Sequence, residues 1–310
     1  MSQGAGDQIV PTGLCVAEEQ TETVTNFYSL KKILSQGTTE FQSYIIAEVP
    51  TFGKAMFINN KMQSALMDEY VYHEHLTHPA LVTCKNPERV LIMGGGEGAT
   101  LRDVLKHSSV KEVVMVDIDK ELVDMAKRDM PEWHQGAFED SRVTLIHTDA
   151  RAWLTNQKDK KFDVIISDLS EPTEEGPAVM LFTKEFFAIV SDRLADDGVF
   201  IMQAGSANIT HPECYASCNK TLEQVFPIVR PFWTVITSFI SPWGYIVASK
   251  TQDPLKLSQE DINQRLSARK VTTRAYNGRT HSALFVLPDY LLEAIAEGRV
   301  ISDDKPFYWK

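Results

Sequence analysis

The stretch "SDLSEPTEEGP" (167–177) gathers Asp168, Glu171, Glu174 and Glu175 directly after the apolar run "FDVII". Clustered carboxylates repel one another, so a loop that collects them at a strand end suits a ligand that brings positive charge. A carboxylate fixed there can also accept a proton from an ammonium group and free its lone pair for attack. Asp168 is the acid that the strand itself would hold in place. Glu174 and Glu175 are better explained as solvated acids that cap the following helix.

A second constellation lies upstream. "GGGEGAT" (94–100) joins the apolar run "RVLIMG" to the helical pattern "EGATLRDVLKH". Its glycines allow a tight turn and a close approach of backbone to ligand. Asp117 ends the next apolar run, where a carboxylate can accept hydrogen bonds from both hydroxyls of a ribose. Asp149, in "HTDA", ends another; with the Ala150 amide it is placed to meet an adenine amino group, and alone it is equally an ordinary helix N-cap. Gly94, Gly96 and Ala99 fit the G-x-G-x-x-G/A spacing of dinucleotide sites. Glu97 opposes that reading, because a carboxylate at the head of the helix would repel a pyrophosphate. A cofactor without phosphates and with positive charge, such as a sulfonium nucleoside, fits better.

These residues need a scaffold that brings several strand ends to one rim. Before residue 75 the chain reads as short β-runs with turn signals: "FQSYIIAEV", "TFGKAMFIN" and "NKMQSAL", with turns at "PTFGK" and "NNK". After the helical "DEYVYHEHLTHPAL" the pattern alternates between Val/Ile-rich strands and helices, which predicts a doubly wound α/β fold with a parallel sheet covered on both faces. The division expected is a β-strand and hairpin domain over 1–75 and a catalytic domain over 76–310. "PFWTVITSF" and "YIVASK" predict a closing antiparallel pair with Pro-Trp-Gly between them.

The bulk properties narrow the function classes. The net charge of −11 argues against nucleic acid or an anionic membrane as a partner. No apolar run approaches the ~20 residues that span a bilayer, and "MSQGAGDQIV" lacks the basic and apolar regions of a secretion signal; a soluble, cytoplasmic protein is expected. Four cysteines are too few for a disulfide scaffold and show no metal-site spacing, so neither a metal nor a prosthetic group is expected.

The motifs "KMQSALMDEYVYHEHLTHPAL", "VLIMGGGEGATLRDVLKH", "VVMVDID", "HTDAR", "DLSEP" and "YNGRTHSALFVLP" together resemble the polyamine aminopropyltransferases, the spermidine and spermine synthase family. The likeness runs from about Gln36 to Pro288. It implies a methyltransferase-like (Rossmann-like) sheet domain with a small N-terminal β-domain, through which a homodimer or homotetramer would form. It implies transfer of an aminopropyl group from decarboxylated S-adenosylmethionine, as co-substrate, to a polyamine, with release of 5′-methylthioadenosine. Matched motif by motif, Asp168 resembles the general base and Glu97 the acid that binds the aminopropyl ammonium. Asp117 resembles the ribose ligand, and Asp149 with Ala150 the adenine contact. Gly94 and Gly96 belong to the cofactor loop, and Gln42 and Gln63 resemble cofactor-contacting glutamines. Tyr72 resembles the tyrosine that lines the amine path.

Departures from the spermidine synthase pattern bear on the acceptor. Glu171 replaces the second aspartate of D-x-x-D-P, His73 stands where glutamine is frequent, and Ser238 aligns with a pocket-closing tyrosine. Tyr72, His73, Glu171 and Ser238 are therefore the expected substrate-binding set. "QAGSANITHPE" and "SPWGYIVAS" resemble the thermospermine synthases, whereas "DMPEWHQGAFED" resembles the agmatine and triamine aminopropyltransferases of thermophilic prokaryotes. The best reading is spermidine to thermospermine. The alternatives are spermidine synthase, agmatine aminopropyltransferase and, from another class, an S-adenosylmethionine-dependent methyltransferase.

Overall fold

The computed structural model describes residues 13–158, 161–174 and 176–309, so Glu175 lies outside the described residues. The chain opens with β1 (Cys15–Thr21), β2 (Val24–Ser29), β3 (Lys32–Thr38), β4 (Ser43–Val49), β5 (Gly53–Ile58) and β6 (Lys61–Ala65). The first two form a hairpin, and β3–β6 form an antiparallel sheet in chain order. Asn59 and Asn60 turn β5 into β6 with φ of 48° and 63°, the double positive φ of a two-residue hairpin turn. Phe57 closes one face of this sheet against the ring of Tyr28, 5.4 Å away. The small sheet ends at Ala65, and α1 (Glu69–Thr83) runs through position 75.

The remaining elements alternate: β7 (Arg89–Gly94), α2 (Ala99–Leu105), β8 (Glu112–Asp117), α3 (Lys120–Asp129), α4 (Pro131–His134), β9 (Val143–His147), α5 (Ala150–Asn156) and β10 (Phe162–Asp168). There follow α6 (Lys184–Arg193), β11 (Leu194–Ser206), α7 (Glu213–Leu222), β12 (Ile228–Ile236), β13 (Ser241–Ser249), α8 (Gln259–Ala268), α9 (Gly278–Leu284) and α10 (Asp289–Glu297). The seven strands lie in the order β12-β13-β11-β10-β7-β8-β9. Strands β7–β11 are parallel, and β13 inserts antiparallel between β11 and β12. Val90, Leu91, Ile92 and Met93 are all inaccessible to solvent, as expected where helices cover both faces of a parallel sheet.

From β7 the chain winds outward to β8 and β9, then returns to place β10 on the other side of β7. Such a reversal opens a crevice beyond the carboxyl ends of the strands. Strand register sets what faces it: Asp168 is opposite Gly94, and Asp117 is opposite His147. One local expectation is corrected. Pro242, Trp243 and Gly244 do not form the final turn; they pair inside β13 with Val235, Thr234 and Trp233. The chain reverses instead at Thr237–Ile240, where Ile240 adopts φ 55°.

Candidate active site

The glycine loop and the end of β10 approach each other closely. Gly94 has φ 79°, and a Cβ there would lie 2.2 Å from the Asp168 carbonyl oxygen, so only glycine fits. The Gly95 N–H donates to that same oxygen at 2.9 Å. This contact fixes the Asp168 backbone, and two hydroxyls fix its carboxylate: Tyr72 donates to Oδ1 at 2.9 Å and Thr100 to Oδ2 at 2.6 Å. Burial and the neighbouring Glu97 raise its pKa to about 6, against the lowering effects of His73, Thr100 and Tyr72. A carboxylate poised there is still ionised at neutral pH yet basic enough to hold a proton.

Below Asp168 a chain of alternating charges runs into the core. Arg102 donates to Glu69 at 3.0 and 3.2 Å. His73 places Nδ1 2.9 Å from Glu69 Oε2 and Nε2 2.7 Å from Glu97 Oε1. Burial alone would strip His73 of its proton, but the two flanking carboxylates outweigh it and raise the pKa to about 10. His73 is thus an imidazolium at neutral pH, with both N–H groups donating to acids. The expectation that His73 binds substrate is corrected: it lines neither the cleft nor its annex, because its two ring nitrogens are taken by Glu69 and Glu97. The i, i+4 spacing of Glu69 and His73 on α1 is a signal for the first half of this chain, but Glu97 joins it only through tertiary folding.

Donor atoms of His73, Glu97 and Asp168 lie within 4.8 Å of one another. A metal would need a neutral imidazole nitrogen, whereas both nitrogens of His73 are engaged as donors.

At the other end of the cleft Asp117 is pushed up to about 7 by burial first, then by its acidic neighbours Asp119, Glu97 and Asp168, with the Asp119 N–H opposing the rise. That N–H donates to Asp117 Oδ1 at 2.8 Å. Asp119 also accepts from Thr39 at 2.6 Å, from Gln42 Nε2 at 2.9 Å and from the Leu122 N–H at 3.0 Å. It thereby ties the small domain to the acidic rim. In the sequence Asp119 is signalled only as a helix cap, by the D-x-D of "VDID" ahead of "KEL"; its ties to Thr39 and Gln42 arise on folding. Asp149 is exposed and caps α5 through the Ala152 N–H at 2.6 Å.

These groups border one open cleft of about 980 Å³. Gln42, Asp117, Asp149 and Ala150 line one end; Gln63, Tyr72, Asp168 and Glu171 line the other, with Gly94, Gly96 and Glu97 between. Met56, Ile58, Val116 and Leu122 supply apolar wall. Ser238 requires correction. It is fully buried and outside the cleft: its N–H donates to Asp68 at 2.7 Å and its carbonyl accepts from Tyr28 at 2.9 Å. Phe239 and Trp243 stand in the wall instead.

The cleft continues into an annex of about 330 Å³. Met62, Gln63, Glu171, Phe239 and Trp243 are shared by the two spaces, and Glu18, Gln20, Lys61 and Trp309 belong to the annex. Burial raises the pKa of Glu18 to about 7 and that of Glu171 upward. Glu18 Oε1 accepts from the Met62 N–H at 3.2 Å, while its buried Oε2 has no hydrogen-bond partner among the described residues. Lys61 turns Nζ toward the Glu19 carbonyl, 3.3 Å away. The exposed Glu174 lines neither space.

Comparison with known proteins places this geometry. Residues 69–259 match the family model "Spermine/spermidine synthase domain". The chain is 42% identical to "Polyamine aminopropyltransferase 2" of Hyperthermus butylicus over 94% of this chain and 96% of that protein. It is 40% identical to the polyamine aminopropyltransferase of Sulfolobus acidocaldarius, over 93% and 96% respectively. The crystal structure of a spermidine synthase in complex with the transition state analogue AdoDATO superposes with a TM-score of 0.85 at 29% identity, covering 92% of this chain and 95% of that one. Spermidine synthase from Thermotoga maritima superposes with a TM-score of 0.81 at 28% identity, covering 91% and 94%.

Proposed function

The chain belongs to the spermine/spermidine synthase family and is an aminopropyltransferase of polyamine biosynthesis; from that premise we propose that it moves the aminopropyl group of decarboxylated S-adenosylmethionine to a triamine, converting spermidine to thermospermine. The observation that carries the choice of acceptor is the annex. Beyond Asp168 the cleft has room and two buried carboxylates, Glu171 and Glu18, to meet an ammonium that a short diamine lacks.

In this reading Asp117 holds the ribose, Asp149 and Ala150 meet the adenine, and Gln42 and Gln63 contact the cofactor. Glu97, steadied by His73, faces the aminopropyl ammonium. The acceptor amine lies along Tyr72 with its nitrogen at Asp168. That nitrogen attacks the methylene carbon beside sulfur; the N–C bond forms as the C–S bond breaks. The bonding pair stays on sulfur, so methylthioadenosine leaves neutral, and the surplus proton of the amine passes to Asp168.

Two expected outcomes follow. Chromatography of products formed with spermidine, putrescine and agmatine in separate reactions should give thermospermine as the fastest-formed product; spermine from spermidine, or a faster diamine product, contradicts the reading. The second concerns protons. Asp168 and Asp117 have raised pKa values, about 6 and 7, and a cationic ligand favours their ionised forms. Binding should therefore release protons near pH 6.5, and affinity should climb with pH until both acids are ionised. Calorimetry in two buffers of different ionisation enthalpy reads the proton count. Proton uptake on binding the decarboxylated cofactor would contradict this account of the rim.

A further inference from the structure

Trp309, carried by the segment that follows α10, lines the annex. Ile301 is fully buried, and its N–H donates to Thr221 at 2.9 Å. Asp303 pairs with Arg151 at 2.6 Å. From these anchors the segment runs back to the acidic loop, where the Trp309 N–H donates to the Pro172 carbonyl at 2.8 Å and Trp309 pairs with Thr173 as a parallel bridge. The indole of Trp309 lies 6.1 Å from His211 and 6.5 Å from Trp243, ring centre to ring centre. Gly205 makes room for it: a Cβ there would be 2.5 Å from Cζ3 of the indole, and the residue has φ 83°.

We propose that Trp309 is a specificity-determining residue of this enzyme: docked on the acidic loop by the C-terminal segment, its indole forms the wall against which the arm of a triamine distal to the reacting nitrogen packs. The inference rests on the triamine reading above. Three features of the annex support it. The annex includes neither Asp168 nor Tyr72, nor Asp117, Asp149 or Ala150, and meets the cofactor contacts only at Gln63, so it receives the part of the acceptor that takes no part in bond exchange. Its walls combine two indoles with the carboxylates of Glu18 and Glu171 and one cation, Lys61, whose Nζ bonds the Glu19 carbonyl; two acids against one cation leave a negative balance, which matches methylenes that end in an ammonium. The Trp309 backbone is bonded to the loop that carries Glu171, so the indole and that carboxylate are set by one piece of structure.

The test measures kcat and KM for spermidine and for putrescine, at saturating decarboxylated S-adenosylmethionine, in wild type, Trp309→Ala and Trp309→Phe. Methylthioadenosine affinity, whose ribose and adenine contacts Asp117, Asp149 and Ala150 do not line the annex, reports that each variant is folded. Trp309→Ala should raise KM for spermidine about tenfold, or about 1.4 kcal/mol, with kcat changed less than about twofold and KM for putrescine nearly unmoved. Trp309→Phe should recover most of the loss. Trp309→Leu, which keeps the backbone bond to Pro172, should behave as Trp309→Ala does and replaces it if that variant does not fold. An equal change for both amines, or no change for spermidine, overturns the inference. A wild-type preference for putrescine overturns the triamine reading instead, and the spermidine KM of the variants still decides the role of Trp309.

Discussion

Replacing Asp168 by asparagine is expected to leave methylthioadenosine binding intact and to lower turnover by about 10²–10⁴-fold, the usual contribution of a positioned general base. The amide keeps the size of the side chain and one acceptor oxygen, so it retains the hydrogen bond from one of the two hydroxyls, Tyr72 and Thr100, that hold Oδ1 and Oδ2 at 2.9 and 2.6 Å. What it removes is the proton acceptor. At neutral pH the acceptor amine is protonated and has no lone pair to offer until a base takes the proton. The predicted loss corresponds to about 3–5 kcal/mol of barrier. Single-turnover rates with enzyme in excess, alongside calorimetry with methylthioadenosine, separate the two effects. Turnover within tenfold of wild type would remove Asp168 from the role of base.

Glu97→Gln is expected to act on co-substrate choice. Glu97 is 12% exposed and bonded to the His73 imidazolium at 2.7 Å. Its other oxygen accepts no hydrogen bond among the described residues; if it meets the aminopropyl ammonium as proposed, losing that hydrogen bond to a charged group costs about 1.5–3 kcal/mol. Binding of the decarboxylated cofactor should weaken about ten- to hundredfold. Ordinary S-adenosylmethionine carries a carboxylate that Glu97 repels, so it should lose less, and the preference between the two should narrow. An unchanged ratio of the two dissociation constants, with both ligands binding, would show that another residue discriminates against the carboxylate.

The parts of this site that stand on strand ends are legible in the residue order. "RVLIMG", "VVMVDID" and "FDVIIS" are short apolar runs of the kind a parallel sheet buries, and each is followed at once by a glycine or an aspartate. Alternation with helices puts those ends on one rim, so Gly94, Asp117 and Asp168 could be grouped before any coordinate was known. The small β-domain is legible for a similar reason: "NNK" is a local turn signal, and local turn chemistry decides hairpins.

What could not be read depends on register or on distant contacts. Alignment with the pocket-closing tyrosine of spermidine synthases puts Ser238 in the amine channel. The reversal occurs at Thr237–Ile240, with Ile240 in the left-handed region, and Pro-Trp-Gly enters the strand. That geometry turns Ser238 inward to Asp68 and Tyr28 and gives the wall to Phe239 and Trp243. Glu18 and Trp309 come from opposite ends of the chain to one annex, a meeting that no periodicity announces. His73 differs again. Its residue type is plain, yet its charge follows only from the two carboxylates that enclose it in the folded protein.

The central claim, that the negative charge beyond Asp168 serves an acceptor with an additional ammonium group, is tested most directly by competition. Wild-type enzyme is given decarboxylated S-adenosylmethionine with spermidine and putrescine at equal concentrations well below either KM, so that initial product ratios report the ratio of kcat/KM. One charged hydrogen bond gained in the annex, worth about 1.5–3 kcal/mol, predicts that the spermidine-derived tetraamine forms at least about tenfold faster than spermidine forms from putrescine. Faster consumption of putrescine would contradict the account and make this chain a spermidine synthase.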